Sequence, residues 1–135
     1  MENGADYPAP LSANPPGKKI LAISYDQSLL DTRKMILEMH GFEVTTAYGF
    51  QEALHMCRQK KDDVALVIVG HSIPHSDMQQ LLAEIRKSSQ VAVLSVGRRE
   101  EDLPPGIDAS VDAFDSPEIL IDAVRRLLPD GQASA

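Results

Sequence analysis

The sequence predicts an α/β domain in which a parallel five-stranded sheet is covered by helices on both faces. The first observation is a run of six apolar residues, Val64 to Val69, which is too short for a helix and ends at Gly70. Such a run indicates a strand buried on both faces. The second observation is that short apolar runs alternate along the chain with stretches whose apolar residues recur at helical spacing. Strands that alternate with amphipathic helices are typical of a parallel sheet between two helical layers.

Five strands are predicted, each from a short run of apolar or β-branched residues bounded by polar or turn-forming residues. The runs are Lys19 to Ser24, Phe42 to Ala47, Val64 to Val69, Val91 to Val96 and Ala109 to Ala113. The helices between them are predicted from apolar residues at helical spacing. Their expected inward-facing residues are Leu29, Thr32, Ile36 and Leu37 in the first helix, Phe50, Ala53, Leu54 and Cys57 in the second, Met78, Leu81, Leu82 and Ile85 in the third, and Leu120, Val124, Leu127 and Leu128 in the last.

Residues that cap or break helices predict where the helices begin and end. The candidates are Asp26 or Ser28 and then Gly41 for the first helix, Ser76 or Asp77 for the third, and Ser116 with Pro117 for the last. The helix between the fourth and fifth strands is expected to be shortened. Pro104 and Pro105 follow the polar segment that begins at Gly97, and only a short helical turn fits there because proline cannot continue a helix.

The 135 residues are expected to form one folded unit, residues 18–128. The proline-rich residues 1–17 predict a disordered leader, and residues 129–135 predict a flexible tail. A net charge of −7 argues against nucleic-acid binding, which needs a basic face. No apolar run approaches the roughly 18 residues of a membrane helix. The single cysteine, Cys57, fits a reducing cytoplasm.

Five short motifs follow one another in a recognisable order. They are Lys18-Lys19-Ile20-Leu21, Gly41-Phe42-Glu43-Val44, Val67-Ile68-Val69 followed by Pro74, Leu94-Ser95, and Gly106-Ile107-Asp108-Ala109. With these motifs, nearly all of residues 18–128 resembles the receiver domain of bacterial two-component response regulators. The resemblance implies a flavodoxin-like (βα)5 three-layer sandwich with the strand order 2-1-3-4-5.

The resemblance also implies a set of site positions. In the family, an Asp that ends the third strand is phosphorylated, two acids after the first strand hold Mg²⁺, and a Thr or Ser and a Lys contact the phosphoryl group. At these positions the sequence has Gly70 for the acceptor, Ser24 and Tyr25 for the acids, Ser95 for the hydroxyl and Ala113 for the lysine. No carboxylate lies between Asp63 and Asp77, so a small shift of the alignment restores no acceptor. Phosphorylation chemistry is therefore expected to be absent, with no enzymatic activity, bound metal or cofactor.

Two other interpretations of the loop after the third strand are weaker. Gly70-His71-Ser72 is similar to the G-x-S-x-G nucleophile elbow of α/β-hydrolases, but Pro74 replaces the second glycine and no histidine follows His75. The two loop histidines, together with Asp26 or Asp77, are expected near one edge of the sheet. No second motif fixes a metal geometry, so both histidines are interpreted as exposed loop residues.

Three further residues or segments each have a structural and a functional interpretation. Cys57 falls on the apolar stripe of its helix, which favours a core cysteine over a reactive thiol. Tyr25 is interpreted as filling space, with stacking over a pocket as the alternative. The charged segment Gly97 to Asp102 is either a solvated loop or a docking surface for a partner.

The main hypothesis is a non-catalytic pseudo-receiver that acts by protein–protein interaction in the cytoplasm. Its expected partner is a signalling protein, with a homodimer as a further option, and Ser95 is a remnant of the phosphate site or a structural hydroxyl. The alternative is a small-molecule or anion sensor whose pocket is lined by Gly70, His71, Ser95 and Tyr25, with Asp26 nearby. A regulator phosphorylated on another residue is the third hypothesis. No output domain follows in the sequence, so any output is expected to pass through a partner.

Overall fold

The computed structural model describes residues 19–59, 64–87, 91–97, 103–112 and 116–128. The predicted leader, the predicted tail, Ala113 and most of the short turn predicted between the fourth and fifth strands lie outside these residues. The elements are β1 (Lys19–Ser24), α1 (Gln27–Met39), β2 (Glu43–Tyr48), α2 (Phe50–Gln59), β3 (Leu66–Gly70), α3 (His75–Arg86), β4 (Ala92–Val96), β5 (Ala109–Val111) and α4 (Pro117–Leu127). No helix among the described residues is long and apolar enough to cross a membrane.

The five strands form one parallel sheet in the order β2-β1-β3-β4-β5. This confirms the predicted fold class and strand order. All five residues of β3 are buried, as the apolar run predicts for a strand at the centre of the sheet. The strand begins two residues later than predicted and includes Gly70, and β5 ends at Val111 rather than at Ala113.

Two apolar clusters lie on opposite faces of the sheet. On one face, α1 and α4 pack against alternate strand residues such as Ile68, Leu94 and Val96. On the other face, α2 and α3 pack against the intervening residues, such as Val67, Val69 and Val93. Successive side chains of a strand point to opposite faces, so β1, β2, β3 and β4 each contribute to both clusters. The domain is therefore a three-layer sandwich, as predicted.

The inward face of α1 differs from the prediction. The residues that the helix buries are Leu30, Arg33 and Leu37, whereas Thr32 is exposed. The observed buried stripe is rotated relative to the predicted one. Its middle position holds a charged residue, Arg33, and a search for apolar spacing passes over such a position. The ends of α1 agree with the prediction. Asp26 caps the helix by accepting from Leu29 N, and Gly41 follows its end with φ +91°.

The predicted caps of the other helices are only partly correct. Helix α3 begins at His75 after Pro74, which makes no side-chain cap bond, so neither Ser76 nor Asp77 caps it. The prediction was wrong because the proline already fixes the backbone where the helix starts. Helix α4 begins at Pro117 after Ser116 as predicted, but the Ser116 hydroxyl makes no capping bond among the described residues.

Cys57 is expected to react slowly with thiol reagents. Its side chain is buried in the cluster under α2, as predicted, and burial, with a smaller effect of the Glu84 charge, raises the pKa of the thiol to about 11. The thiolate is the reactive species, so both shielding and the raised pKa slow the reaction. We expect labelling by a disulfide reagent at pH 8 to be at least about 100-fold slower in the native domain than in denaturant. Equal rates in both states would contradict the burial of Cys57.

Candidate functional site

The candidate site is the carboxyl end of the sheet around Gly70, the last residue of β3. Parallel α/β sheets place their ligand sites just beyond the strand ends. Gly70 is buried between β1 and β4, and the strand register pairs it with Val96. Its missing side chain would point to the face covered by α1 and α4, because Ile68, two residues earlier, packs in that cluster.

The space beside Gly70 is taken by the guanidinium of Arg33 from α1. A Cβ added to Gly70 would lie 3.0 Å from Arg33 Nη1 and 3.4 Å from Ser24 Oγ. Only 7% of Arg33 is exposed, and its Nη1 has no hydrogen-bond partner among the described residues. Burial lowers the pKa of Arg33 and the nearby Asp26 carboxylate opposes that shift, yet a guanidinium stays protonated in proteins. A buried positive charge therefore occupies the end of β3.

Serine hydroxyls connect the loop after β1 to the loop after β3. The Ser24 and Ser72 Oγ atoms lie 3.3 Å apart, and Tyr25 N donates to Ser72 Oγ at 3.0 Å. The Asp26 backbone N–H donates to Ser24 Oγ at 3.0 Å. Ser24 is fully buried, so these contacts satisfy a hydroxyl that water cannot reach. The two loops are held together by neutral groups.

Tyr25 joins the same loop to α3. Its hydroxyl donates to Asp77 Oδ2 at 2.8 Å, and its ring packs against the apolar cluster under α2 and α3. Burial raises the pKa of the Tyr25 phenol above its usual range, and the hydrogen bond to Asp77 and the negative charge of that carboxylate raise it further. Tyr25 therefore remains protonated and acts as a hydrogen-bond donor, in keeping with the space-filling interpretation.

Comparisons with known proteins found sequence relatives among regulatory proteins and structures with the same fold. No protein-family model matches the chain. The chain is 33% identical over 85 residues to a transcriptional regulatory protein CpxR homolog of Haemophilus influenzae, covering 63% of this chain and 36% of that protein. It is 30% identical over 98 residues to a putative transcriptional regulator of Haloferax volcanii, covering 70% of this chain and 16% of that protein. The chain thus spans about a third or less of these relatives.

Solved structures show the same fold over the whole sheet. A CheY-like response regulator receiver domain protein from Methanospirillum hungatei has a TM-score of 0.72 at 23% identity and covers 87% of this chain and 98% of that one. A response regulator receiver domain protein from Clostridium thermocellum has a TM-score of 0.73 at 23% identity with the same coverage. This chain therefore has the fold of a response regulator receiver domain.

One further protein with this fold was solved with bound ligands. The response regulator TrrA of Thermotoga maritima, with a TM-score of 0.70 at 24% identity over 82% of this chain and 99% of that one, was solved in complex with Mg²⁺ and BeF. Mg²⁺ binds oxygen ligands, above all carboxylates. In this chain, two carboxylates of the adjoining elements have other roles, since Asp26 caps α1 and Asp77 accepts from Tyr25.

The residues present do not fit a bound Mg²⁺. Ser24, Tyr25 and Gly70 stand where the resemblance implies carboxylates, and none of them has an acidic side chain. No group of three or more His, Cys, Asp or Glu residues among the described residues is arranged to hold a metal ion. His71 is exposed, and His75 is the first residue of α3. We therefore derive no chemical step through a metal at this end of the sheet.

The remaining predicted site residues are not brought together with Gly70. Ser95 pairs with Val69, one residue before the Gly70–Val96 pair, and shares its face with Val93 under α2 and α3. Its buried hydroxyl has no partner among the described residues and lies across the sheet from Arg33. The pocket predicted from Gly70, His71, Ser95 and Tyr25 is thus divided between two faces. Ala113, at the predicted lysine position, lies outside the described residues.

Sequence reasoning missed Arg33. A usable signal was present, because Leu30, Arg33 and Leu37 recur at the i, i+3 and i+7 spacing of one helical face. Recognising it would have required accepting a charged residue within an inward stripe, and arginines are almost never fully buried unless they are paired.

The Tyr25–Asp77 bond is expected to stabilise the domain modestly. We expect Tyr25→Phe to lower the free energy of unfolding by about 1 kcal/mol, because it removes one hydrogen bond and keeps the packed ring. Tyr48→Phe is the matched control, since Tyr48 is 50% exposed, and should change little. Urea denaturation measures both variants. If the loss also appears on an Asp77→Ala background, which has no acceptor at position 77, the bond does not carry the effect.

Proposed function

We propose that this receiver-type domain is a pseudo-receiver, a non-catalytic signalling domain that acts by protein–protein interaction without aspartate phosphorylation. A cytoplasmic location and a signalling protein as partner belong to the proposal. The relatives named as transcriptional regulators support a role in signal transduction, since the matched segment is a domain of longer regulatory proteins.

The observation that carries the proposal is that a positive charge, rather than a carboxylate, occupies the end of β3. Formation of an acyl phosphate requires a carboxylate nucleophile, and Gly70 provides no side chain. The space that such a carboxylate would enter holds the Arg33 guanidinium instead. A guanidinium has no lone pair available for attack, and its positive charge disfavours a divalent cation in the same place. Gly70 therefore supplies no nucleophile, and the Arg33 charge disfavours a metal ion beside it.

Signalling by such a domain depends on its surface. The candidate contact residues on the outer side of α1 are Met35 and Met39, which are 56% and 75% exposed. Exposed methionines adapt to differently shaped partners because their side chains are unbranched and polarisable. A heterologous signalling protein is the proposed partner, and a second copy of the chain is the alternative.

Treatment with acetyl phosphate and Mg²⁺ followed by intact-mass measurement tests the proposal. A receiver domain that retains its acceptor Asp, treated in parallel, provides the positive control. We expect the control to gain one phosphoryl group and this domain to keep its mass. A stoichiometric, acid-stable or hydroxylamine-sensitive adduct on any residue would show that the domain is an atypical phosphorylatable regulator.

A ligand-sensing function is the second candidate. It is favoured by a cavity of about 130 Å³ beside Arg33. A sensor and a pseudo-receiver are compatible, since a ligand can change which partner the surface binds. A binding measurement distinguishes them, because only the sensor requires a small ligand.

A further inference from the structure

A cavity lies between α1 and α4, at the ends of β4 and β5. Its volume is about 130 Å³, comparable to an apolar cavity of roughly 150 Å³ that admits a benzene-sized molecule. Most of its wall is aliphatic, with side chains from Leu29, Ile36, Val96, Val111 and Leu120. Val96 pairs with Gly70 in the sheet, so the cavity adjoins the position that lacks a side chain and lies on the same face.

Arg33 also lines this cavity, and its charge has no direct partner among the described residues. The side chain is more than nine-tenths buried, and its Nη1 makes no hydrogen bond there. A buried guanidinium loses its hydration, and that cost is recovered only when an acceptor or an anion replaces the water. Ser116, which precedes α4, and Pro117, its first residue, line the cavity as well, and the positive end of a helix dipole also favours an anion.

We propose that this cavity binds a small organic anion with an apolar body. The charged group of the ligand pairs with Arg33, and the body packs against the aliphatic wall. Asp112 lines the same cavity and Asp26 lies near Arg33, so the anionic group is directed toward the guanidinium and away from Asp112. A guanidinium pairs best with planar or tetrahedral oxyanions, which makes carboxylates and phosphate monoesters the expected classes.

This inference goes beyond the proposed function, because a pseudo-receiver needs no ligand. It also changes the predicted sensor site. The binding residues are Arg33 and its aliphatic neighbours on α1 and α4, whereas His71, Ser95 and Tyr25 do not line the cavity.

Calorimetric titration with benzoate tests the inference, with benzyl alcohol as the uncharged analogue and inorganic phosphate as the anion without a body. We expect saturable binding of benzoate that is at least about tenfold tighter than that of either comparison compound. Arg33→Met should abolish the preference for benzoate. Arg126→Met, which removes an exposed arginine of α4, should leave it unchanged.

The inference is overturned if the unmodified domain shows no saturable benzoate binding, or if Arg33→Met leaves benzoate binding intact. Phosphate binding as tight as benzoate binding would show that the apolar wall is not used. Amide shifts of the unmodified domain give a measurement that does not depend on a variant folding. Benzoate should shift the amides of Val96, Val111 and Leu120 and leave that of Tyr48 in place, and the reverse pattern contradicts the assignment of the cavity.

Discussion

Gly70→Asp is expected to yield a folded domain that is more stable at pH 7 than Gly70→Asn by about 1.5–3 kcal/mol. Both variants have nearly the same shape, so the comparison isolates the charge. The new Cβ would lie 3.0 Å from Arg33 Nη1, the far end of a flexible side chain that can shift by a few tenths of an ångström. The introduced carboxylate then gives the buried guanidinium a direct anionic partner, which it does not have among the described residues.

The advantage of Gly70→Asp over Gly70→Asn should depend on pH with a definite sign. Pairing with Arg33 holds the pKa of the new carboxyl below its unfolded value of about 3.9. The stabilisation is therefore complete above that unfolded pKa and is lost as the pH falls through the lower, folded pKa. Urea denaturation at pH 7 and at about pH 3 measures it. A Gly70→Asn variant as stable as Gly70→Asp at pH 7 would contradict the position of Arg33.

The same Gly70→Asp variant should not gain phosphorylation. The restored carboxylate is paired with Arg33, and Ser24 and Tyr25 still supply no acidic metal ligands. We expect no phosphoryl adduct after treatment with acetyl phosphate and Mg²⁺. An adduct on the introduced carboxylate would mean that the absence of one side chain alone accounts for the loss of chemistry.

Arg33→Met is expected to raise the free energy of unfolding by about 1–3 kcal/mol in a buffer free of phosphate and carboxylates. Methionine has a comparably long, unbranched side chain and fills an irregular space without requiring hydrogen bonds. The substitution removes a buried charge for which the described residues provide no direct partner. Urea denaturation compares the variant with the unmodified domain.

The control for Arg33→Met is Arg126→Met, at an exposed position of α4, which should change stability by less than about 0.5 kcal/mol. A loss of stability in Arg33→Met that Arg126→Met does not share would show that Arg33 has a stabilising partner in the ligand-free domain. Such a result would also remove the reason for expecting an anion in the cavity.

The fold was predictable because its signals are local and redundant. The run from Val64 to Val69 identifies a fully buried strand, and the stripe of Met78, Leu81, Leu82 and Ile85 identifies the buried face of α3, as observed. The strand order came from the resemblance to receiver domains and was confirmed. Helix starts were less predictable, because a proline at position 74 begins α3 without any side-chain cap.

The candidate site was predictable only in what it lacks. A missing carboxylate at Gly70 can be seen directly in the sequence. Its replacement by Arg33 depends on how α1 is rotated, and a buried arginine gives no apolar signal. The face of Ser95 depends on strand register, where a difference of one residue moves a side chain across the sheet. The rotation of α1 and the register of β4 therefore explain why the observed cavity differs from the predicted pocket.

Mn²⁺ binds the same kinds of oxygen ligands as Mg²⁺ and broadens the amide resonances of nearby residues. Titration of the ¹⁵N-labelled domain with Mn²⁺ therefore measures directly whether a cation site or the Arg33 charge occupies the end of β3. We expect the amides of Ser24, Asp26 and Gly70 to broaden no more than those of exposed loops. Saturable broadening confined to these three amides would contradict the presence of a guanidinium there.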